Sequence, residues 1–138
     1  MGIAFISKVS DYAAYRVAAK ALVNTAAGEA QASLVSSSPM QSYVDAQLYT
    51  EAKAYETAPL ASYPWMQAIA DEMGTTKATV YSRIMTQKTL ADAILQAIEA
   101  VRMSTMKQID DADDSQLAID AIVTAAQTSI AVIVSTYT

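Results

Sequence analysis

The sequence predicts an all-α fold, a helical bundle of five or six helices dominated by three long ones. Hydrophobic residues make up 53% of the chain and charged residues only 17%, whereas soluble domains average about 25% charged residues. Alanine supplies about a fifth of the chain, and only three glycines and three prolines interrupt it. This composition is typical of long helices that bury much of their surface, and in 138 residues it suggests that partner subunits help to cover them.

The first part of the chain is predicted to form an apolar N-terminal arm, residues 1–10, followed by a helical hairpin over residues 11–57. A helix should begin at Ser10 or Asp11 and run to about Val35, with Gly28 as a possible bend. Its apolar positions alternate three and four residues apart, which is typical of a coiled-coil seam. The arm and this seam are the candidate interface, either within the domain or with a neighbouring subunit: Ile3, Phe5, Ile6, Val9, Tyr12, Tyr15, Ala19 and Leu22.

The second helix of the hairpin is expected to begin near Pro39, with a serine as its cap, and to end before Pro59. Tyrosines are concentrated in this region, and their mixed apolar and polar character suits either an interface or a wet edge of the core.

Residues 66–85 are predicted to form a short helix-turn-helix hairpin. The first helix should stop at Gly74, a residue suited to a left-handed C-cap, and Thr75 or Thr76 should cap a second helix that ends near Met85. Small Ala70 and apolar Val80 have the spacing that two crossing helices need. As a DNA reader, the hairpin would present Thr75, Thr76, Lys77, Thr79, Tyr81 and Arg83. The clustered basic residues that bind phosphates are absent, so nucleic acid is a disfavoured partner.

The C-terminal region is predicted to contain a long helix from about Thr89 to Asp110 and a last helix from Asp114 or Ser115 to about Val134. The acidic segment between them lacks the glycine and glutamate of a calcium loop, because Ser115 and Ala121 stand at those positions. It is therefore predicted to be a linker without a metal.

Two further side-chain roles are predicted. Trp65 should be a core anchor at a helix start. Glu99 and Arg102, three residues apart, should form a surface ion pair.

The sequence offers little for catalysis. There is no cysteine and no histidine, which excludes thiol chemistry, histidine-based triads and histidine-containing zinc sites. We therefore expect no enzymatic activity, no catalytic residue, no cofactor and no small-molecule substrate. Residues 117–134 are nearly long enough to cross a bilayer, but Asp120 and Gln127 interrupt them, so a buried helix is expected and no membrane association.

One stretch resembles a known class of proteins. Tyr63-Pro64-Trp65-Met66, then Ala68, Gly74, Thr75, Val80 and Ile84, continue through Ala97-Ile98-Glu99-Ala100-Val101-Arg102 to Ile109. This pattern is similar to small alanine-rich helical proteins of tailed bacteriophages, in which an aromatic-proline start leads into a helical hairpin and then a long helix. The resemblance covers about residues 58–125, and it departs from the usual form in having little alanine over residues 85–93.

The resemblance implies that residues 58–138 form a phage-like helical module and that the protein is a virion component. It would belong to the tail, baseplate or fibre-attachment region, be made in the host cytoplasm, and pack with copies of itself and neighbouring virion proteins. The resemblance implies no catalytic residues. The alternatives are a small helix-turn-helix DNA-binding regulator and, less favoured, a phage tail assembly chaperone.

Overall fold

The computed structural model describes residues 11–34 and 39–137 and confirms the all-α fold class. The predicted arm, with Ile3, Phe5, Ile6 and Val9, and the serines before Pro39 lie outside the described residues. In the described part of the chain, the helices are α1 (Tyr12–Ala32), α2 (Pro39–Thr57), α3 (Pro64–Met73), α4 (Lys77–Asp111) and α5 (Gln116–Tyr137).

The chain forms two compact units. The α1–α5 unit contains α1, residues 93–111 of α4, and α5, whereas the α2–α3 unit contains α2, α3 and residues 77–92 of α4. The predicted hairpin of residues 11–57 is therefore divided, because α1 packs against α5 and α2 packs against α3.

Aliphatic side chains fill the core of the α1–α5 unit. Ala19 and Val23 of α1 lie in one cluster with Ile109, Ile119 and Val123. A second cluster follows along the same helices and contains Ala27, Ala30, Ile94, Ile98 and Ile130. Alanine adds little bulk between the helices, so α1 can lie close to its neighbours while the isoleucines supply most of the buried apolar area.

Aromatic and sulfur-containing side chains shape the core of the α2–α3 unit. Tyr63 and Met66 are buried beside Ala52, Ala70 and Val80. Leu48, Tyr55, Ile69, Tyr81, Ile84 and Met85 pack against this cluster. The small residues Ala52 and Ala70 lie among large neighbours, so the core depends on the bulk of tyrosine and methionine rather than on a repeated aliphatic seam.

The helix starts agree with the capping rules. Asp11 caps α1, and its carboxylate accepts a hydrogen bond from the Ala14 amide at 3.1 Å. Ser115 caps α5 in the same way, through the Ala118 amide at 3.1 Å. Short polar side chains at these positions satisfy amides that have no partner within the helix.

Three details of the helices differ from the sequence expectations. The interruption predicted between Met85 and Thr89 is absent, because α4 runs through it as one helix of 35 residues. No glycine or proline occupies residues 86–88, and Lys88 instead pairs with Asp92 one turn later at 3.1 Å. Helix α1 continues through Gly28 and ends at Ala32, earlier than the predicted Val35, and α5 continues beyond the predicted Val134 to Tyr137.

Among the described residues, α5 is the one helix long and apolar enough to cross a membrane by length and composition, with a mean hydropathy of 1.9 over Gln116–Thr136. A core helix of a soluble bundle meets the same two criteria. Here α5 packs Ile119, Val123, Ala126 and Ile130 into the two clusters of its unit, much as α1 packs its own buried face.

Candidate functional site

The hairpin between α3 and α4 has the geometry that its residues predict. Gly74 ends α3 in the left-handed conformation with φ of 65°, where a side chain would be strained. The Thr75 amide then donates to the Ala70 carbonyl at 2.9 Å. The Thr76 hydroxyl accepts from the Thr79 amide at 3.2 Å and caps α4. The two predicted caps, Gly74 and one of the two threonines, are confirmed.

The start of α3 is held by a residue from another helix. Pro64 occupies the first turn, and the Tyr63 side chain makes no capping bond. Instead, the Glu51 carboxylate of α2 accepts hydrogen bonds from the amides of Trp65 at 3.1 Å and Met66 at 2.8 Å. A negative charge at the positive end of a helix that satisfies two unpaired amides is a strong cap. Glu51 and Trp65 are 14 residues apart in the sequence, so no local sequence pattern predicts this cap.

A cluster of tyrosines fastens α4 to α2. The ring of Tyr55 lies 5.9 Å from that of Tyr63 and 5.1 Å from that of Tyr81. The Tyr81 hydroxyl donates to Glu56 at 2.7 Å, and Lys53 pairs with the same carboxylate at 3.0 Å. The bonds from Tyr81 and Lys53 hold the pKa of Glu56 below its ordinary value, and the bond to Glu56 raises the pKa of Tyr81.

Several of the residues proposed to read DNA contact other residues of the α2–α3 unit. The Lys77 ammonium donates to the Ala61 carbonyl at 3.3 Å and lies 5.7 Å from the centre of the Tyr63 ring. The hydroxyl of Tyr81 is bonded to Glu56. Arg83 is exposed, and its guanidinium contacts the Met73 sulfur at 3.3 Å. The remaining members of the set lie at the turn or the first turn of α4: Thr75, Thr76 and Thr79.

Charge also argues against a polyanion at this hairpin. Residues 35–92 contain four basic and six acidic side chains, a net charge of −2. A DNA reader presents a basic face that contacts several phosphates. The hairpin therefore combines a left-handed turn at Gly74 with surroundings that are not basic.

The seam predicted on α1 lies inside the α1–α5 unit. Tyr15 is 3% exposed and Ala19 is fully buried, and both belong to the cluster that contains Ile119. Tyr12 and Leu22 are partly buried against the same cluster. The seam is thus covered by the chain's own helices, and these buried side chains are not a free interface.

A buried polar contact joins the two helices of that seam. The Tyr15 hydroxyl donates to Asp120 of α5 at 2.7 Å. Burial and the neighbouring carboxylate raise the pKa of Tyr15 to about 12. Asp120, the charge that interrupts the apolar sequence of α5, therefore has a partner on α1.

The acidic linker is a helix cap and a set of ion pairs. Arg16 of α1 donates to the carbonyls of Ile109 at 3.0 Å and Ala112 at 2.5 Å, where α4 ends. The same guanidinium pairs with Asp114 at 2.8 Å. The other ion pairs of the linker are Lys20 with Asp110 and Lys107 with Asp111. Within residues 11–34 and 39–137, no group of His, Cys, Asp or Glu is arranged to hold a metal ion.

The predicted surface ion pair on α4 is present and bidentate. Arg102 donates to both carboxylate oxygens of Glu99, at 2.9 and 2.6 Å, and reaches Asn24 of α1 at 3.2 Å. The guanidinium holds the pKa of Glu99 below its ordinary value.

The prediction that Trp65 anchors the core is wrong. Its side chain is 38% exposed and lies edge-on against Tyr43 of α2, with 6.2 Å between ring centres. Tyr43 is 54% exposed, and Met40, one turn earlier on the same face of α2, is 72% exposed. We call these three side chains the aromatic patch. Met66, the residue after Trp65, is the buried anchor.

The aromatic patch combines residues from two helices, so sequence spacing gives no sign of it. Its members are exposed side chains of the types enriched where proteins bind each other.

No family model, curated protein or solved structure matches the chain.

Proposed function

We propose that this protein is a non-enzymatic structural subunit of a bacteriophage particle, in the tail, baseplate or fibre-attachment region. It would act by packing its helical surfaces against copies of itself and neighbouring virion proteins. The proposal combines the resemblance of residues 58–125 to phage helical proteins with the surface chemistry of the folded chain.

The aromatic patch is the observation that carries the proposal. A methionine, a tyrosine and a tryptophan together on a surface are costly to leave in water, and such groups mark sites of protein association. Other large apolar side chains are also exposed, among them Leu117 at 82%, Val17 at 69% and Val132 at 60%. These surfaces suit a chain whose final burial is completed by other subunits.

The order of the helices gives further support. The resemblance implies an aromatic-proline start, a short hairpin and then a long helix. Pro64 begins α3, the hairpin turns at Gly74, and the 35-residue α4 carries Ala97 to Arg102. The aromatic-proline start and the turn are those that the resemblance implies, whereas the second helix of the hairpin and the long helix are one continuous helix, α4.

Mass spectrometry of gradient-purified particles from cells that produce this protein tests the proposal. We expect its peptides at a constant ratio to the major capsid protein across the particle peak. Peptides found only in unfinished assemblies would favour the assembly chaperone instead. Absence from both fractions would contradict a role in the particle.

A deletion of residues 1–9 tests the role of the N-terminal arm. On the proposed mechanism, the shortened protein keeps its helical circular dichroism spectrum and fails to enter particles. Normal incorporation of the shortened protein would show that the arm is dispensable.

The DNA-binding regulator remains the second candidate, because the Gly74 turn and the cap at Thr76 have helix-turn-helix geometry. A gel-shift titration with mixed-sequence duplex DNA tests it, with Arg83→Ala as the matched variant. The regulator requires a shift that weakens steeply with added salt and with loss of Arg83. The structural role predicts no shift at physiological salt.

A further inference from the structure

We propose that the aromatic patch of one copy binds residues 1–10 of a second copy, so that subunits join head to tail. This inference rests on the proposed structural function and names the surface and the segment that would carry self-association. The patch takes the place of the α1 seam as the candidate surface for self-association, because the chain's own helices cover that seam.

The patch has the exposure and chemistry of a docking surface. Met40, Tyr43 and Trp65 are exposed by 72%, 54% and 38%. The edge-on contact between the two rings fixes the position of Trp65 against α2. The Glu51 carboxylate accepts hydrogen bonds from the amides of Trp65 and Met66. These bonds fix the start of α3, which carries Trp65. An ordered aromatic surface loses little conformational freedom when it binds.

Residues 1–10 have the complementary composition. They contain four large apolar side chains, Ile3, Phe5, Ile6 and Val9, with one basic residue, Lys8, and no acidic residue. Apolar side chains of this size are stabilised when they leave water for an apolar surface. Contact with an aromatic patch is therefore more favourable for this segment than contact with water.

Charge supports the same pairing. The helices that carry the patch, α2 (residues 39–57) and α3 (residues 64–73), contain one basic residue, Lys53, and five acidic residues: Asp45, Glu51, Glu56, Asp71 and Glu72. Lys8 would therefore approach a region of net charge −4. The whole chain carries a net charge of −5, so two copies repel one another except where the basic segment of one meets this region of the other.

An arm-to-patch contact joins two different surfaces, so each bound copy still offers a free arm and a free patch. Contacts of this kind produce rings or open chains, depending on the rotation between subunits. Repeated assembly of one subunit is what a component of a tail or baseplate requires.

The test uses two variants with complementary defects. The deletion of residues 1–9 lacks the arm and keeps the patch, and Met40→Ser/Tyr43→Ser keeps the arm and lacks two of the three patch side chains. The Met40 and Tyr43 side chains are exposed, so their substitution should leave the circular dichroism spectrum as in wild type. We expect the deletion variant to keep that spectrum as well. Leu60→Ser, which changes a side chain that is 98% exposed outside the patch, is the matched control.

Sedimentation velocity at increasing protein concentration measures association. Wild type and Leu60→Ser should form dimers and larger species, whereas each defective variant alone should stay monomeric, below the 14.7 kDa of a wild-type monomer. An equimolar mixture of the two defective variants should form a dimer that grows no further. Trp65, the only tryptophan, should shift its emission to shorter wavelength in that mixture, and Lys8→Glu in the arm-bearing partner should weaken the dimer by about tenfold or more.

The inference would be overturned by wild type that stays monomeric at all concentrations, by defective variants that associate as well as wild type, or by a mixture that fails to form the dimer. A shift of Trp65 emission in wild type that does not depend on protein concentration would mean that the arm binds the patch of its own copy. That result would also overturn the inference. None of these results bears on whether the protein is found in particles, so the proposed function is tested separately.

Discussion

The two units of this protein reach stability by different means. The α1–α5 unit packs repeated alanines against isoleucines and valines, as in the contact of Ala19 with Ile119 and Val123. The α2–α3 unit has a smaller aliphatic core and joins its helices through tyrosine rings and carboxylates, such as Glu51 and Glu56. The first unit relies on the fit of helix surfaces, and the second relies on particular polar contacts.

This difference affects what each unit exposes. In the α1–α5 unit, the apolar seam of α1 is buried in the core. In the α2–α3 unit, polar bonds hold the helices in place and leave Tyr43 and Trp65 at the surface. Tyr63 belongs to the core of this unit, whereas Tyr43 and Trp65 are left for a partner to cover.

The largest effect should follow from removing bulk in the aliphatic core. Ile119 is fully buried, so Ile119→Ala removes transferred apolar area and leaves a cavity. We expect a loss of about 2–5 kcal/mol in the free energy of unfolding, measured by urea titration followed by circular dichroism. Leu117→Ala, at a side chain that is 82% exposed, should change stability by less than about 0.5 kcal/mol. Equal losses for the two variants would contradict the packing described for this unit.

The polar contact at the end of α4 should have the next largest effect. Arg16→Ala removes two hydrogen bonds to the Ile109 and Ala112 carbonyls and the pair with Asp114. We expect a loss of about 2 kcal/mol, because these bonds involve a charged donor. Lys20→Ala removes only a partly exposed ion pair and should cost less than about 1 kcal/mol. The thermal midpoints of the two variants measure the difference, and similar shifts would exclude a capping role for Arg16.

The cap of α3 provides the corresponding test in the α2–α3 unit. Glu51→Ala leaves the Trp65 and Met66 amides without their acceptor, which should cost about 1–2 kcal/mol. Glu51→Gln, which keeps one acceptor oxygen, should lose about half as much. Urea unfolding followed by Trp65 emission reports this unit directly. The control is Glu72→Ala, near the other end of α3, which should have little effect because it removes no cap. An unchanged midpoint in Glu51→Ala would contradict the assigned cap.

The smallest effect concerns the hydrogen bond between Tyr15 and Asp120. Tyr15→Phe should cost about 1 kcal/mol at neutral pH. The folded pKa of Tyr15, about 12, lies above the unfolded value of 10. Stability from this group is therefore complete below pH 10 and is lost as the pH rises toward 12. Urea midpoints measured from pH 8 to 11.5 should fall less steeply for Tyr15→Phe than for wild type. Parallel profiles would mean that Tyr15 does not contribute to alkaline unfolding.

The features that the sequence predicted correctly depend on residues close together in the chain. Gly74 in the left-handed region and Thr76 at the start of α4 follow from the conformational preferences of those residues alone. Asp11 and Ser115 cap their helices for the same reason. The all-α class follows from composition, because alanine is abundant and helix breakers are few.

The features that were missed depend on which helices meet. Trp65 looked like a core residue because tryptophan is large and apolar, but Met66 faces the interior and turns Trp65 outward. The seam at Tyr15 and Ala19 was recognised as a contact surface, yet its partner, α5, lies about a hundred residues later in the chain. The Glu51 cap likewise depends on the packing of α2 against α3.

Cross-linking of purified particles with an amine-reactive reagent, followed by mass spectrometry, tests most directly whether this chain works by contacting other virion polypeptides. The account predicts links from its lysines to a second copy of the chain and to at least one other virion protein, reproducibly across preparations. Particles in which its peptides are absent, or are linked only within a single copy, would contradict it.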